Sequence, residues 1–461
     1  MGIGVSHWPL ARAVSSHGQL GVVSGTALDV LLVRRLQDGD PGGHVRRALA
    51  QLPIQGAAAR IVSSFFLPNG RPPGQPYRAI TMTSVQPPHE AVERIIAANF
   101  VEVFLAREGH SGVVGINFLH KVQLPTLPSI YGALLAGVDY ILMGAGVPMA
   151  IPGAIDRLAR GESAELPLEM EGAVPNESHT LTFDPVDYTD TPPPALKRPA
   201  FLAIVSSATL ALALARKANG RVDGFVVEGA SAGGHNAPPR GQLSLNDRGE
   251  PVFGPRDVPD LEKIRALGLP FWVAGSTATP EALASARAAG ATGIQVGTGF
   301  AFCEESGIRP DLKARVLAAS QSGTLDVFTD PLASPTGFPF KVARLSGTAS
   351  EPEVCATRER VCDLGYLRTP YRKAEGSIGY RCPGEPEPHY LAKGGCAEDT
   401  CGRKCICNGL FATVGFAQLR NDGTLEPALV TAGVDARQVA RFLRPGATRY
   451  TAADVLDQLL A

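Results

Sequence analysis

The stretch Val226-Val227-Glu228-Gly229-Ala230-Ser231-Ala232-Gly233-Gly234-His235 decides the fold. An apolar strand ends here in a loop of small residues, and a histidine follows a pair of glycines. Because glycine has no Cβ, such a loop lets the backbone approach a flat or phosphorylated ligand. In α/β barrels the chemistry lies in the loops at the C-terminal ends of the strands. The stretch therefore indicates either a ligand-facing loop that carries an acid–base residue or an ordinary glycine-rich turn with a solvated histidine.

Two apolar strands further along the chain favour the ligand-facing loop. Each ends in a glycine followed by a hydroxyl residue, at Gly275-Ser276 and at Gly297-Thr298. Strands and helices that alternate at this spacing predict βαβ units and a parallel sheet. Glycine-ended loops after two successive late strands offer backbone N–H groups to a phosphate. The ligand expected at these loops is FMN.

Length and composition are compatible with this architecture. The chain has 461 residues, 44% of them apolar, and a net charge of −1. A barrel needs roughly 250 residues, so insertions or an added region are expected. The near-zero charge gives no reason to expect a nucleic acid or a charged membrane surface as partner, which leaves a small-molecule substrate.

The most apolar stretch to compare with a membrane span is the segment 200–215 (AFLAIVSSATLALALA). Its 16 residues fall short of the roughly 20 that a bilayer requires. We expect a buried strand that turns into a buried helix, in a soluble, cytoplasmic protein without a secretory signal.

The N-terminal half repeats the same pattern less clearly. Apolar spacing predicts a helix over 89–107, and strands are predicted at 21–24, 113–118 and 140–144. Asn117 stands at the end of one of these strands, either as a polar strand end or as an amide that hydrogen-bonds the edge of a flavin. The polar, proline-rich segment 161–197 is predicted to be an inserted hairpin.

Taken together, these segments resemble the nitronate monooxygenase family, formerly called 2-nitropropane dioxygenases. The resemblance covers roughly residues 1–345 and lies in Glu228 with Gly233-Gly234-His235, in 274–276 and in 295–300. It implies an α/β fold, a (β/α)8 TIM-type barrel, and FMN as cofactor. The FMN contacts that it implies are Asn117, Gly233, Gly234, Gly275, Ser276, Gly297 and Thr298. It also implies that His235 is the catalytic histidine.

The sequence departs from the family in three places. It begins where the family's first barrel strand ends, so we expect either a start codon assigned too late or a truncated strand. The glycine–histidine loop is longer than in the family. The segment 329–339 stands where the family has a Gly-Arg pair, which removes a positive charge near the site.

Three classes of function follow. The first is an FMN-dependent oxidoreductase that oxidises a nitronate or nitroalkane with molecular oxygen, as the resemblance implies. The second is an NAD(P)H-dependent enoyl reductase acting in trans with a polyketide or polyunsaturated fatty acid synthase, because that sister group shares the barrel and the flavin. The third is a barrel without activity that serves metal binding or docking, and the glycine loops and His235 argue against it.

Seven of the eight cysteines lie between Cys355 and Cys407. Without a secretory signal, metal binding is favoured over a disulfide framework, and free thiols are the remaining alternative. The compact spacing C-x4-C-x3-C-x-C predicts one site for zinc or an iron–sulfur cluster, with the ligands Cys396, Cys401, Cys405 and Cys407. The eighth, Cys303, is expected to be a small buried residue.

These features predict three regions. Residues 1–345 form the FMN-binding barrel, 346–409 the Cys-rich and metal-binding region, and 410–461 a set of C-terminal helices. The last helix is expected over 452–460 with Thr451 as its N-cap. These helices either pack on the barrel or form a homodimer contact.

Overall fold

The computed structural model of the protein describes residues 2–174, 178–189 and 192–461. The predicted inserted hairpin therefore lies partly outside the described residues, since 175–177 and 190–191 fall within it. Its described part contains a pair of antiparallel strands, β4 and β5, that joins Ala164–Pro167 to Thr180–Phe183.

Seven parallel strands make up the main sheet of the described chain, in the order β1-β2-β3-β6-β7-β9-β10. Their bounds are β1 Gly21–Ser24, β2 Val114–Leu119, β3 Tyr140–Gly144, β6 Ala200–Val205, β7 Gly224–Glu228, β9 Phe271–Ala274 and β10 Gly293–Gln295. The remaining strands are β8 Gly234–His235, β11 Asp326–Asp330, β12 Phe340–Arg344, β13 Thr369–Arg372 and β14 Ile378–Arg381. β8, β11 and β12 form an antiparallel sheet, and β13 pairs with β14.

Helices connect the parallel strands and cover the outside of the sheet. They are α1 Trp8–Ser16, α2 Leu28–Gln37, α3 His44–Leu49, α4 Ala57–Phe65, α5 His89–Arg107, α6 Thr126–Leu135, α7 Ile151–Ala159, α8 Ala208–Lys217, α9 Leu261–Arg265, α10 Pro280–Ala288, α11 Thr298–Ala301, α12 Pro310–Gln321, α13 Pro352–Thr357, α14 Glu387–Ala392, α15 Ala397–Thr400, α16 Ile406–Thr413 and α17 Ala452–Leu460. Short 3-10 helices lie at Pro41–Gly43, Pro185–Tyr188, Pro255–Asp257 and Val434–Phe442.

The parallel sheet curls around a small interior cluster. Leu142, Leu202, Val226 and Ala274 come from four different strands and pack together, each at most 5% exposed. Residues of both outer strands, Val22 of β1 and Ile294 of β10, line one and the same cavity, which a flat sheet would not allow. The predicted α/β, TIM-type fold class is therefore confirmed, with seven parallel strands rather than eight in the described residues.

Local sequence signals placed several elements correctly. The helix predicted over 89–107 is α5, and the apolar stretch 200–215 divides into the strand β6 and the helix α8, as expected. The Thr451 hydroxyl accepts a hydrogen bond from the Asp454 N–H and caps α17. Within the described ranges, we find no helix that combines the length and the apolar character needed to cross a membrane.

The C-terminal part of the chain packs into the same core as the sheet. Tyr366, Phe411 and Leu429 belong to the large buried cluster that also contains strand residues such as Phe201 and Phe225. This packing brings residues from beyond position 345 to the cavities at the C-terminal ends of the strands.

Candidate functional site

A large cavity of about 460 Å³ opens at the C-terminal ends of β7, β9 and β10. Its volume lies within the range of about 300–1,000 Å³ that is typical of cofactor and substrate pockets. The predicted FMN-contact residues among its lining are Gly233, Gly234, Gly275, Ser276, Gly297 and Thr298. Three loops that are distant in sequence therefore meet around one space, as the glycine pattern predicted.

A second cavity of about 100 Å³ adjoins the large one. It contains the two predicted residues that the large cavity lacks, Asn117 and His235. Glu228, Gly233 and Gly234 line both cavities, so the glycine–histidine loop forms the boundary between them. The residues predicted to bind flavin, and the predicted catalytic His235, all lie in this one region of the structure. Their roles remain predictions.

The glycine–histidine loop is held by a segment near the C-terminus of the chain. A Cβ on Gly233 would lie 2.6 Å from the backbone nitrogen of Gly433, so this position has no room for a side chain. The Gly234 N–H donates to the Thr431 hydroxyl at 3.1 Å, and Gly234 has a φ of +79°, which favours glycine. The loop conformation therefore depends on residues about 200 positions away.

The two later glycine loops present unpaired backbone donors to the large cavity. Within the described chain, the N–H groups of Ser276, Thr277 and Gly297 donate to no protein acceptor. Gly275 has a φ of +106° and Ser276 a φ of +51°, so the chain turns sharply directly after β9. Such N–H groups suit a phosphate, so the residues present fit the phosphorylated end of FMN.

Thr298 has a structural bond besides its place in the cavity lining. Its hydroxyl oxygen accepts a hydrogen bond from the Gly433 N–H at 2.9 Å, and the residue is buried. Asp435 also lines the large cavity, and burial raises the pKa of its carboxyl group. The charged form of this carboxyl is therefore less favourable here than in water.

His235 is held by groups from the antiparallel sheet. Its Nε2 atom lies 2.7 Å from the Ser334 hydroxyl, and its ring makes an edge contact with Phe340. Burial, with a smaller effect from the positive charge of Lys121, lowers the pKa of His235 to about 3. The imidazole is therefore neutral near pH 7. The segment that lacks the family's Gly-Arg pair supplies Ser334 instead.

Glu228 is a candidate acid–base group to which the sequence analysis gave no catalytic role. It ends β7 between the two cavities, and burial raises the pKa of its carboxyl group to about 7. A group that titrates near neutral pH is suited to general acid–base catalysis. The sequence signal that could have identified Glu228 is a carboxylate at the C-terminal end of a buried parallel strand.

Lys341 is a second residue missed by the sequence analysis. Its side chain is buried, and its ammonium group donates to Ala230 O at 2.6 Å and to Asn236 Oδ1 at 2.7 Å. Burial lowers the pKa of Lys341 to about 8. Lys341 therefore stabilises the glycine–histidine loop through Ala230 and Asn236. No local sequence pattern distinguishes this lysine from an exposed strand residue.

The Cys-rich region closes the smaller cavity. Tyr366, Leu367, Ile406, Cys407 and Leu410 all line it opposite Asn117 and Gly144. The sequence predicts a region of its own over 346–409, because its contact with the barrel joins positions about 250 residues apart. The structure makes it one wall of the site.

The structure does not bring the four predicted metal ligands together. Cys396 and Cys401 are exposed at the two ends of the short helix α15, whereas Cys405 is half-buried and Cys407 buried at the start of α16. In the described part of the chain, no three His, Cys, Asp or Glu side chains are arranged to hold one metal ion. Metal binding by Cys396, Cys401, Cys405 and Cys407 stays a prediction.

Comparison with known proteins agrees with the motifs. Residues 183–331 match the family model for nitronate monooxygenase. The resemblance to this family is confirmed. Nitronate monooxygenase relatives include a probable enzyme from Staphylococcus haemolyticus, 32% identical over 112 residues, and one from Bacillus subtilis, 32% identical over 130 residues. These matches cover 23% and 28% of this chain, and they span only about a third of each relative, 30% and 35%.

The solved structures that match the chain have low sequence identity and TM-scores below 0.5. FabK from Thermotoga maritima is 16% identical with a TM-score of 0.47, and the match covers 99% of this chain and 88% of that one. Nitroalkane oxidase from Streptomyces ansochromogenes is 17% identical with a TM-score of 0.44, covering 100% and 92% of the two chains.

Proposed function

We propose that the protein is an FMN-dependent oxidoreductase of the nitronate monooxygenase type, which oxidises a nitronate or nitroalkane with molecular oxygen. The observation that carries this proposal is the cluster of unpaired N–H groups at Ser276, Thr277 and Gly297 beside a cavity of about 460 Å³. The family match supports the proposal, because it covers the strands that carry all three glycine loops.

Residues of the two cavities would bind different parts of FMN. The Ser276 and Gly297 loops would bind the FMN phosphate in the large cavity, and Asn117 would hydrogen-bond the edge of its ring system from the smaller one. When bound, FMN supplies the acceptance and donation of electrons. Gly233 and Gly234, without side chains, leave room for a flat ring between the cavities.

His235 and Glu228 would transfer the proton that leaves the substrate. The neutral imidazole is held through Nε2 by Ser334, which leaves Nδ1 as the atom that would accept a proton from the carbon of a nitroalkane. With a pKa near 3, His235 is a weak base, and Glu228, which has a pKa near 7 and lines the same cavity, would take the proton on. The Tyr366 and Leu367 wall excludes water from this space.

A second candidate, NAD(P)H-dependent enoyl reduction, is favoured by the charge of the smaller cavity. Its lining in the described residues contains no lysine or arginine, and His235 is neutral there. A nitronate anion would find no opposite charge in this cavity. An uncharged enoyl group would be suited to its apolar wall of Leu367, Ile406 and Leu410.

Anaerobic reduction separates the two candidates. The purified protein should show flavin absorption, and its bleaching by nitronate alone supports the first candidate, whereas bleaching by NADPH supports the second. A folded protein that binds no FMN on titration would contradict both.

A His235→Ala variant tests the proton role. It should keep its flavin and lose at least ten-fold in kcat, which corresponds to about 1.4 kcal/mol of transition-state stabilisation. His17→Ala, at an exposed position on the outside of the sheet, is the matched control and should keep wild-type turnover. Full turnover in His235→Ala would remove this residue from the mechanism.

A further inference from the structure

Four cysteines converge beside the smaller cavity, and they are not the four that the sequence spacing suggests. They surround a small space between the loop before β13, the end of β14 and the start of α16. We call this cluster the cysteine pocket; it consists of Cys362, Cys382, Cys405 and Cys407. All four are free thiols. Cys382 and Cys407 are buried, and the other two are half-buried.

Polar groups lie against the sulfur of Cys405. The Asn408 side-chain amide donates to Cys405 Sγ at 3.6 Å, and the Cys405 thiol donates to Val361 O at 3.7 Å. The amide donor suits a metal-bound thiolate, and the thiol proton is released when a metal binds.

One arginine lines the pocket and a second lies nearby. Arg368 is part of the lining, and Arg358 is paired with Glu426 at 2.9 Å. Four cysteine thiolates in one small space need a cationic centre among them in order to be ionised together.

We propose that the cysteine pocket binds an iron–sulfur cluster. Four cysteine thiolates are the usual ligand set of such clusters, and N–H donors to the sulfurs are among the features that tune them. One zinc ion, about 2.3 Å from each sulfur, would require the four sulfurs to lie within about 4 Å of one another. No described group of side chains has an arrangement for one ion, whereas a cluster spreads its ligands over several metal atoms.

The cluster would hold the wall of the smaller cavity. Cys407 and Leu367 line both the cysteine pocket and that cavity, so a single layer of residues separates the two spaces. The segments 362–367 and 405–407 would be fastened to each other through the metal. This role is independent of which substrate the flavin site accepts.

The test measures iron and acid-labile sulfide in protein purified without oxygen, and again after incubation with ferrous iron and sulfide. We expect equal amounts of iron and sulfide, two or four of each per chain, and an electron paramagnetic resonance signal on reduction with dithionite. Absence of iron after reconstitution, stoichiometric zinc without sulfide, or disulfide bonds among these cysteines would each overturn the proposal.

Variants locate the site. Cys362→Ala and Cys382→Ala should lose the iron and the signal, whereas Cys396→Ala and Cys401→Ala, at exposed positions in the same region, should keep both. Iron retained at the wild-type level in Cys382→Ala would overturn the assignment, as would equal loss in all four variants. Because metal content is measured without substrate, iron without flavin would refute only the proposed function, and flavin without iron only this inference.

Discussion

Replacing Gly233 by alanine tests how the glycine–histidine loop is held. The new Cβ would lie 2.6 Å from Gly433 N and 2.7 Å from Ala432 C, and both are backbone atoms that no rotamer change can move aside. Relief requires a shift of one backbone segment away from the other. Overpacking of this kind costs about 1–3 kcal/mol, and the reduced freedom of the unfolded chain offsets about 0.4–1 kcal/mol of it. We therefore expect a net loss of about 1–2 kcal/mol.

Two other glycines separate crowding from the loss of glycine itself. Gly254 is exposed, has a φ of −114° and would meet no atom within 4 Å, so Gly254→Ala should leave stability unchanged or slightly raised. Gly297 also has open space around its Cβ, but this space belongs to the large cavity. Gly297→Ala should therefore keep stability and weaken FMN binding.

Urea unfolding of the three variants and fluorescence titration of the FMN-free proteins are the assays. Gly233→Ala should have a lower unfolding midpoint and bind FMN at least ten-fold more weakly, a difference of about 1.4 kcal/mol. A Gly233→Ala protein as stable as Gly254→Ala would refute the argument that contact with the segment 432–433 shapes the loop.

Three further predictions concern buried polar groups. The raised pKa of Glu228 means that its stabilising contribution is present below about pH 4.5 and is lost as the pH rises through about 7. Glu228→Gln should therefore flatten the pH dependence of urea unfolding between pH 5.5 and 8, by at most about 2 kcal/mol. Glu426→Ala should cost about 3–5 kcal/mol in the same assay at pH 7, because it leaves Arg358 buried without its partner at 2.9 Å. Thr298→Val should lower stability by about 1–3 kcal/mol, because the buried Gly433 N–H loses its acceptor.

Matched changes give each of these predictions a control. Between pH 5.5 and pH 8, the wild-type protein should lose more stability than Glu228→Gln does. Equal losses in the two proteins would contradict the pKa assigned to Glu228. Glu162→Ala breaks an exposed ion pair, which solvent screens, and should leave the unfolding midpoint nearly unchanged. An equally small effect of Glu426→Ala would argue against a buried pair. Thr298→Ser keeps the acceptor and should restore most of the stability lost in Thr298→Val.

The sequence predicted the local elements of the barrel well. Strand ends at Gly275 and Gly297 followed from apolar runs that stop at glycine, and α5 followed from apolar residues at helical spacing. These signals are local, because each depends on a few neighbouring residues. The convergence of the glycine loops also followed, since parallel strands bring their C-terminal ends to one edge.

The cysteines show where sequence spacing fails. Close spacing grouped Cys396 with Cys407, yet α15 directs Cys396 to the surface while α16 turns Cys407 inward. The cysteine pocket instead draws Cys362 and Cys382 from segments up to 45 positions away from Cys407. Which cysteines meet depends on how these segments pack, and no short-range pattern records it.

By itself, the sequence determined the parallel α/β architecture, the three glycine loops and the histidine between them, because backbone preferences and apolar periodicity act over short distances. Only the tertiary structure decided the rest of the site. It raises the pKa of Glu228, buries Lys341, forms the hydrogen bond between Gly234 and Thr431, and makes Tyr366 and Cys407 part of the wall of the smaller cavity. These properties arise from burial and from contacts between residues one to three hundred positions apart. Desolvation depends on the whole packed environment, which a linear pattern does not contain.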